Sequence, residues 1–204
     1  MKRLVLLFAT VILPLFMLLA QDVSGTSNGH DYVDLGLSVK WATCNVGATS
    51  PSDYGDYYAW GETSTKSDYS SSTSKTYGKS MGNIGGNSSY DVARYRWGGS
   101  WRLPTKAEFE ELKTKCTWTW TTQGGHEGYK VTGKNGKSIF LPAAGWRHGT
   151  SSDLVGERGF YWSSSPYEGD TYRAYGLSFF SSGHGHGVGW YRRYYGFSVR
   201  PVVE

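Results

Sequence analysis

The chain is short of cysteine, aliphatic side chains and net charge, and beyond residue 20 it has no long apolar run. It has 204 residues and two cysteines, Cys44 and Cys116. Neither lies near residue 20, which excludes a lipid anchor on a cysteine at the end of an export signal. The charge balance is 21 basic against 17 acidic residues. Setting aside Lys2 and Arg3 leaves 19 against 17, an excess too small to mark a nucleic-acid or membrane-surface protein. No G-x-S-x-G stands between a strand and a helix, so a Ser-His-Asp hydrolase has no support. With Leu, Ile and Val few, any core must be built from larger rings.

Those rings are abundant. The chain carries 16 Tyr, 9 Trp and 8 Phe beside 28 Gly. Glycine in such numbers implies many turns and irregular loops.

The chain opens MKR and continues LVLLFATVILPLFMLLA to Ala20, followed by polar QDVSG. A positive start, an apolar run and a small residue at the boundary read as a signal peptide over 1–20. The alternative is an uncleaved anchor, the one membrane connection expected. Export leaves periplasm, outer surface or release as destinations. Residues 21–30 read as a polar tether and 31–204 as one domain. An even cysteine count in an exported chain favours a Cys44–Cys116 disulfide, with two buried thiols as the alternative.

Within the domain, period-two alternation dominates. Val33, Leu35, Leu37 and Val39 share a phase, as do Trp118 and Trp120. KNGK, 134–137, reads as an Asn-Gly hairpin turn of type I′. Residues 63–90, TSTKSDYSSSTSKTYGKSMGNIGGNSSY, are low in complexity with little to bury, and read as a long surface loop. WRLPTKAEFEELKTKC predicts a helix over about 106–115, with Thr105 as N-cap and Glu108 closing a capping box. The fold class is α+β: mostly short antiparallel strands and long loops, with one dominant helix.

Six blocks in order, VDLGLSVKWATCNVGA, GDYYAWGET, WGGSWRLPTKAEFEEL, GYKVTGKNGKSIFLPAAG, YWSSSPY and GFSVRPV, resemble the Fibrobacter succinogenes major paralogous domain family. The likeness runs from about Tyr32 to Val203. Members are exported proteins of gut and rumen bacteria, especially Bacteroidales. The family is similar to the C-type-lectin-like fold in its formylglycine-generating-enzyme branch. That implies a C-terminal ligand-binding face, like that of the variable proteins of diversity-generating retroelements. Formylglycine generation needs a reactive cysteine pair in the C-terminal half, and no cysteine follows Cys116. The sugar-binding motifs of calcium-dependent lectins are also missing. An enzyme of different chemistry on this scaffold, or a self-assembling cell-surface protein, are the rivals to a binding domain.

The remaining candidates lie in 165–195. His184 and His186 sit in HGHG, two apart, but zinc needs three or four ligands and the other histidines lie elsewhere in the sequence. WYRRYY could stack bases, yet the near-neutral charge opposes nucleic acid. Tyr, Trp and Arg interleaved with Ser and Gly are the composition of a contact surface. The expected contact residues are Tyr167, Tyr172, Arg173, His184, His186, Trp190, Tyr191, Arg192 and Arg193, with Trp190 and Tyr191 open between surface and core. Leu177, Phe179, Phe197, Val199 and Trp162 are expected in the core. The expected partner is a protein or a glycan, with no metal, no cofactor and no catalysis.

Overall fold

A computed structural model of the chain describes residues 22–181 and 185–204. The signal-peptide expectation and His184 lie outside them. The described chain starts with three short strands, β1 (Gly25–Ser27), β2 (His30–Val33) and β3 (Lys40–Ala42). After a long irregular stretch come helices α1 (Val92–Trp97) and α2 (Lys106–Lys115). A meander follows of β4 (Thr117–Gln123), β5 (His126–Thr132) and β6 (Ser138–Pro142), then a small hairpin of β7 (Trp146–His148) and β8 (Ser151–Asp153). Then β9 (Arg158–Pro166), β10 (Arg173–Phe180) and β11 (His186–Arg192) form an antiparallel sheet. Last, β12 (Val202–Val203) returns to pair with β3, closing the four-stranded sheet β1-β2-β3-β12. Every strand pair within these sheets is antiparallel, as the sequence predicts.

Helix α2 forms where its capping box places it. Thr105 Oγ1 accepts from the Glu108 N–H at 3.2 Å, and Glu108 Oε2 accepts from the Thr105 N–H at 2.7 Å. Arg102 forks onto the same carboxylate at 2.9 and 2.7 Å. Phe109 and Leu112, three apart, point into the core. Helix α1 has six residues and lacks a periodic signature. Asp91 makes it: its buried carboxylate accepts from the N–H groups of Gly86, Ala93, Arg94 and Leu103.

Two aromatic-rich clusters make the interior. Trp60, Trp101, Trp162, Phe197 and Val199 belong to one. Trp41, Phe109, Leu112, Leu177 and Phe179 belong to the other. The β9-β10-β11 sheet lies between them: Phe160, Trp162 and Ala174 serve the first, Tyr161, Leu177 and Phe179 the second. Adjacent residues thus enter different cores because side chains alternate across the sheet. Each buried ring removes enough apolar area to contribute roughly 3 kcal/mol, so a few rings replace many aliphatics. Gly159 stands directly opposite Phe179, and a Cβ there would meet that ring at 2.0 Å. The glycine is where the ring packs.

Four expectations are corrected. Residues 25–27, placed in a tether, pair with β2 as β1. The loop 63–90 forms no helix or strand but buries Tyr69, Thr76 and Ile84. The KNGK turn has Gly136 at φ +82° while Asn135 is not left-handed. Gly136 N–H donates to Gly133 O at 3.0 Å, the pattern of a type I turn followed by a left-handed glycine. Cys44 and Cys116 are free thiols. Cys44 follows β3 in a cleft with His30 and Trp97, whereas Cys116 caps α2 and packs on the second cluster. Burial pushes the Cys116 thiol up to about 11, with Glu111 adding to it. No helix among the described residues is long and apolar enough to cross a membrane.

Candidate ligand-binding face

The face is built on the β10–β11 ladder. Arg173 pairs with Arg192, Tyr175 with Trp190, Leu177 with Val188 and Phe179 with His186. All eight side chains share one side of the sheet. The far end of that side packs under α2 through Leu177, Phe179 and Val188. The near end extends past the start of α2, where Lys106 Nζ lies 3.8 Å from the centre of the Tyr175 ring.

Arg173 and Arg192 are directly opposite, which for like charges is unfavourable. They diverge. Arg173 Nε and Nη2 each reach Asp170 Oδ2 at 2.6 Å. Arg192 Nη1 donates to Tyr77 Oη at 2.6 Å. The Arg173 guanidinium then lies 3.9 Å from the Trp190 ring centre and 4.6 Å from that of Tyr167. Tyr167 and Trp190 are themselves 5.6 Å apart. A cation that touches two adjoining rings and is anchored by a carboxylate is a rigid contact element. Trp190 is 50% exposed and Tyr172 46%.

A second aromatic group adjoins the first. Tyr77 meets Tyr172 at 4.9 Å and Tyr194 at 5.1 Å. Tyr194 continues to Tyr195 at 4.8 Å, and Tyr195 to Trp146 at 4.4 Å. Beside the first group an open cleft of about 350 Å³ is lined by Ser80, Met81, Tyr167, Asp170, Thr171 and Arg193. One wall therefore comes from the 63–90 loop. Sequence reasoning missed Tyr77, Ser80 and Met81, although Tyr77 stands out as one of the few large residues in a small-residue stretch.

One expected contact is corrected. Arg193 is 1% exposed, not a surface residue. Its Nε donates to Arg173 O, and its Nη1 to Thr76 O and Lys79 O. Its guanidinium sits 4.4 Å from the Trp60 ring centre. It follows Arg192 on the strand's continuation and so points the opposite way. Tyr191 packs on the first cluster and donates to Ser178 Oγ at 2.8 Å. His186 is half-buried and stacks on Trp118 with ring centres 4.2 Å apart. Burial holds its pKa below the usual histidine range, against the opposing effect of the Lys113 carbonyl. Among the described residues no group of three or more His, Cys, Asp or Glu could hold a metal ion.

Among the described residues, fold and face define a mostly antiparallel β domain with two helices that carries an exposed aromatic and cationic surface on one sheet. A family model described as a domain of unknown function, DUF8237, matches residues 126–202, under half of the chain. The matched segment includes all of β9, β10 and β11 but neither α2 nor the loop that supplies Tyr77. No curated protein and no solved structure matches the chain.

Proposed function

We propose that this chain is an exported, non-catalytic binding protein with a C-type-lectin-like fold. It presents Tyr167, Tyr172, Arg173, Trp190 and Arg192 to a protein or glycan ligand. The supporting observation is the Trp190–Arg173–Tyr167 cluster on the β10–β11 ladder, with Trp190 half open to solvent. Large rings with few rotors lose little entropy on binding, and Asp170 already fixes the arginine against them.

Replacing Tyr172, Arg173, Trp190 and Arg192 together by Ala tests the reading. The expected result is loss of ligand capture from host or bacterial surface extracts with the unfolding midpoint changed only slightly. Capture that survives in the folded quadruple variant would remove the site.

A further inference from the structure

We infer that β11 accepts an additional strand along its outer edge, contributed by an extended segment of another polypeptide with an acidic side chain opposite Arg192. The inference rests on the binding-face reading and specifies both its ligand class and its mode.

β11 is a seven-residue edge strand, paired only with β10. The hydrogen-bond phase follows from one contact: Arg193 N–H donates to Tyr172 O at 3.0 Å. Antiparallel pairs alternate, so Tyr191, Gly189 and Gly187 also turn their N–H and C=O groups toward β10. The backbone groups of His186, Val188, Trp190 and Arg192 then point outward. Among the described residues the one backbone bond on that edge is from Tyr195 N–H to Arg192 O, in the turn that follows.

Edges are usually shortened, covered or guarded by charge or proline. Here β1 and β12 are short, β6 is buried throughout and ends on Pro142, and β9 is bridged at Gly159 and Tyr161. β4 is as long as β11 but carries none of the face residues. β11 has no lysine or proline, and Arg192, its one formal charge, stands at its end.

Charge selects the occupant. Asp170 is taken by Arg173, while exposed Arg192 has only the Tyr77 hydroxyl. A second β11 set antiparallel about Gly189 would put His186 against Arg192 and supply no carboxylate. A glycan offers no N–H and C=O row at the two-residue strand repeat of about 6.8 Å. An acidic extended peptide provides both, and a neighbouring side chain falls on Trp190.

The probe is a set of peptides seven residues long, matching β11, alternating Thr and Val with one Glu placed at each position in turn. Amide exchange by NMR reads the edge. In the free protein Val188, Trp190 and Arg192 should exchange freely, while Gly187, Gly189 and Tyr191 are protected. A bound peptide should slow the first group at least about tenfold. Val188→Pro removes an outward N–H without touching the β10 ladder, and should weaken the peptide by about tenfold or more. Val188→Ala, which keeps the N–H, should stay within about threefold of wild type.

Outward amides already protected in the dilute free chain, a proline variant that binds normally, or no peptide bound at about 1 mM would each overturn the inference. Protection that grows with protein concentration alone assigns the edge to a second copy, and protection by oligosaccharides assigns it to a glycan. Either rejects the peptide. Peptide shifts at Trp190 and Tyr172 without edge protection would reject strand addition and leave the binding face standing. Edge protection that persists in the quadruple alanine variant would keep strand addition but overturn its selection by Arg192 and the binding face with it.

Discussion

Arg173 and Arg192 lie on one side of the β10–β11 strands, and Arg193 and Arg200 lie behind it. The residue type is the same, but its function differs. On the face, the guanidiniums reach side chains: Asp170 and two rings for Arg173, the Tyr77 hydroxyl for Arg192. Inside, they reach backbone carbonyls. Arg193 holds those of Thr76, Lys79 and Arg173. Arg200, fully buried, donates to Ala42 O, Thr43 O, Phe140 O and Asn45 Oδ1. In a domain with many loops and few ladders, irregular carbonyls need donors, and a five-donor fork satisfies several at once. The interior arginines therefore act as staples for loops, and the face arginines remain available to a partner.

Breaking the deepest staple should have the largest effect. Arg200→Ala leaves three carbonyls and the Asn45 amide oxygen without their donor in the core. A loss of about 4 kcal/mol in urea unfolding is expected, enough to leave much of a marginal domain unfolded. Arg193→Ala should cost about 2–3 kcal/mol and release the 76–79 segment from Trp60. Limited proteolysis should then cut near Lys75 or Lys79 while the β10–β11 ladder stays protected. Arg192→Ala should change stability by less than about 0.5 kcal/mol, since its one bond is exposed. If the adjacent arginines had equal effects, the distinction between staple and contact would fall.

This contrast also marks what the sequence made legible. Helix α2 was readable because its signals are local: Thr105, Glu108, Phe109 and Leu112 lie within eight positions. The strands were readable because burial follows alternation, and Leu177, Phe179, Phe197, Val199 and Trp162 are core as predicted. In WYRRYY the same alternation sends Arg192 out and Arg193 in, but it carries no label for which phase faces water. Two of the three carbonyls that Arg193 holds lie more than 110 positions away in a loop that looked empty. Asp91, which caps α1 through two N–H groups and ties Gly86 and Leu103 to it through two more, looks in sequence like any loop aspartate.

Acid should separate two smaller effects. Burial alone would raise the Glu108 pKa, but the Arg102 fork and the Thr105 N–H outweigh it and hold the carboxyl below its usual value. Its stabilising contribution is then complete above about pH 4.3, the ordinary glutamate value, and is lost as pH falls through the lower folded one. His186 behaves differently. Its folded pKa is lowered by burial, so the unfolded chain takes the proton first, and stability declines from about pH 6.5 downward. Urea midpoints across pH should show both steps. His186→Phe should shrink the upper one, which His30 shares because burial lowers its pKa too, and Glu108→Gln the lower one, which Glu111 shares.

The smallest effect is expected at the cysteines, and it tests whether the arginine staples suffice. A disulfide closing the 44–116 loop would stabilise by roughly 4 kcal/mol, and its reduction would lower the melting temperature by many degrees. The structure instead sets Cys44 in a cleft beside His30 and Cys116 at the end of α2, both as thiols. Dithiothreitol should therefore leave the melting temperature of the purified chain unchanged. The denatured protein should titrate two thiols without prior reduction. Cys44→Ser and Cys116→Ser should each cost less than about 1.5 kcal/mol, the Cys116 change being the larger because that side chain packs on the second cluster. Its thiol, pushed up to about 11, should also react more slowly than an exposed cysteine near neutral pH. A melting temperature that fell sharply on reduction would show that a covalent link carries part of the load assigned to Arg193 and Arg200.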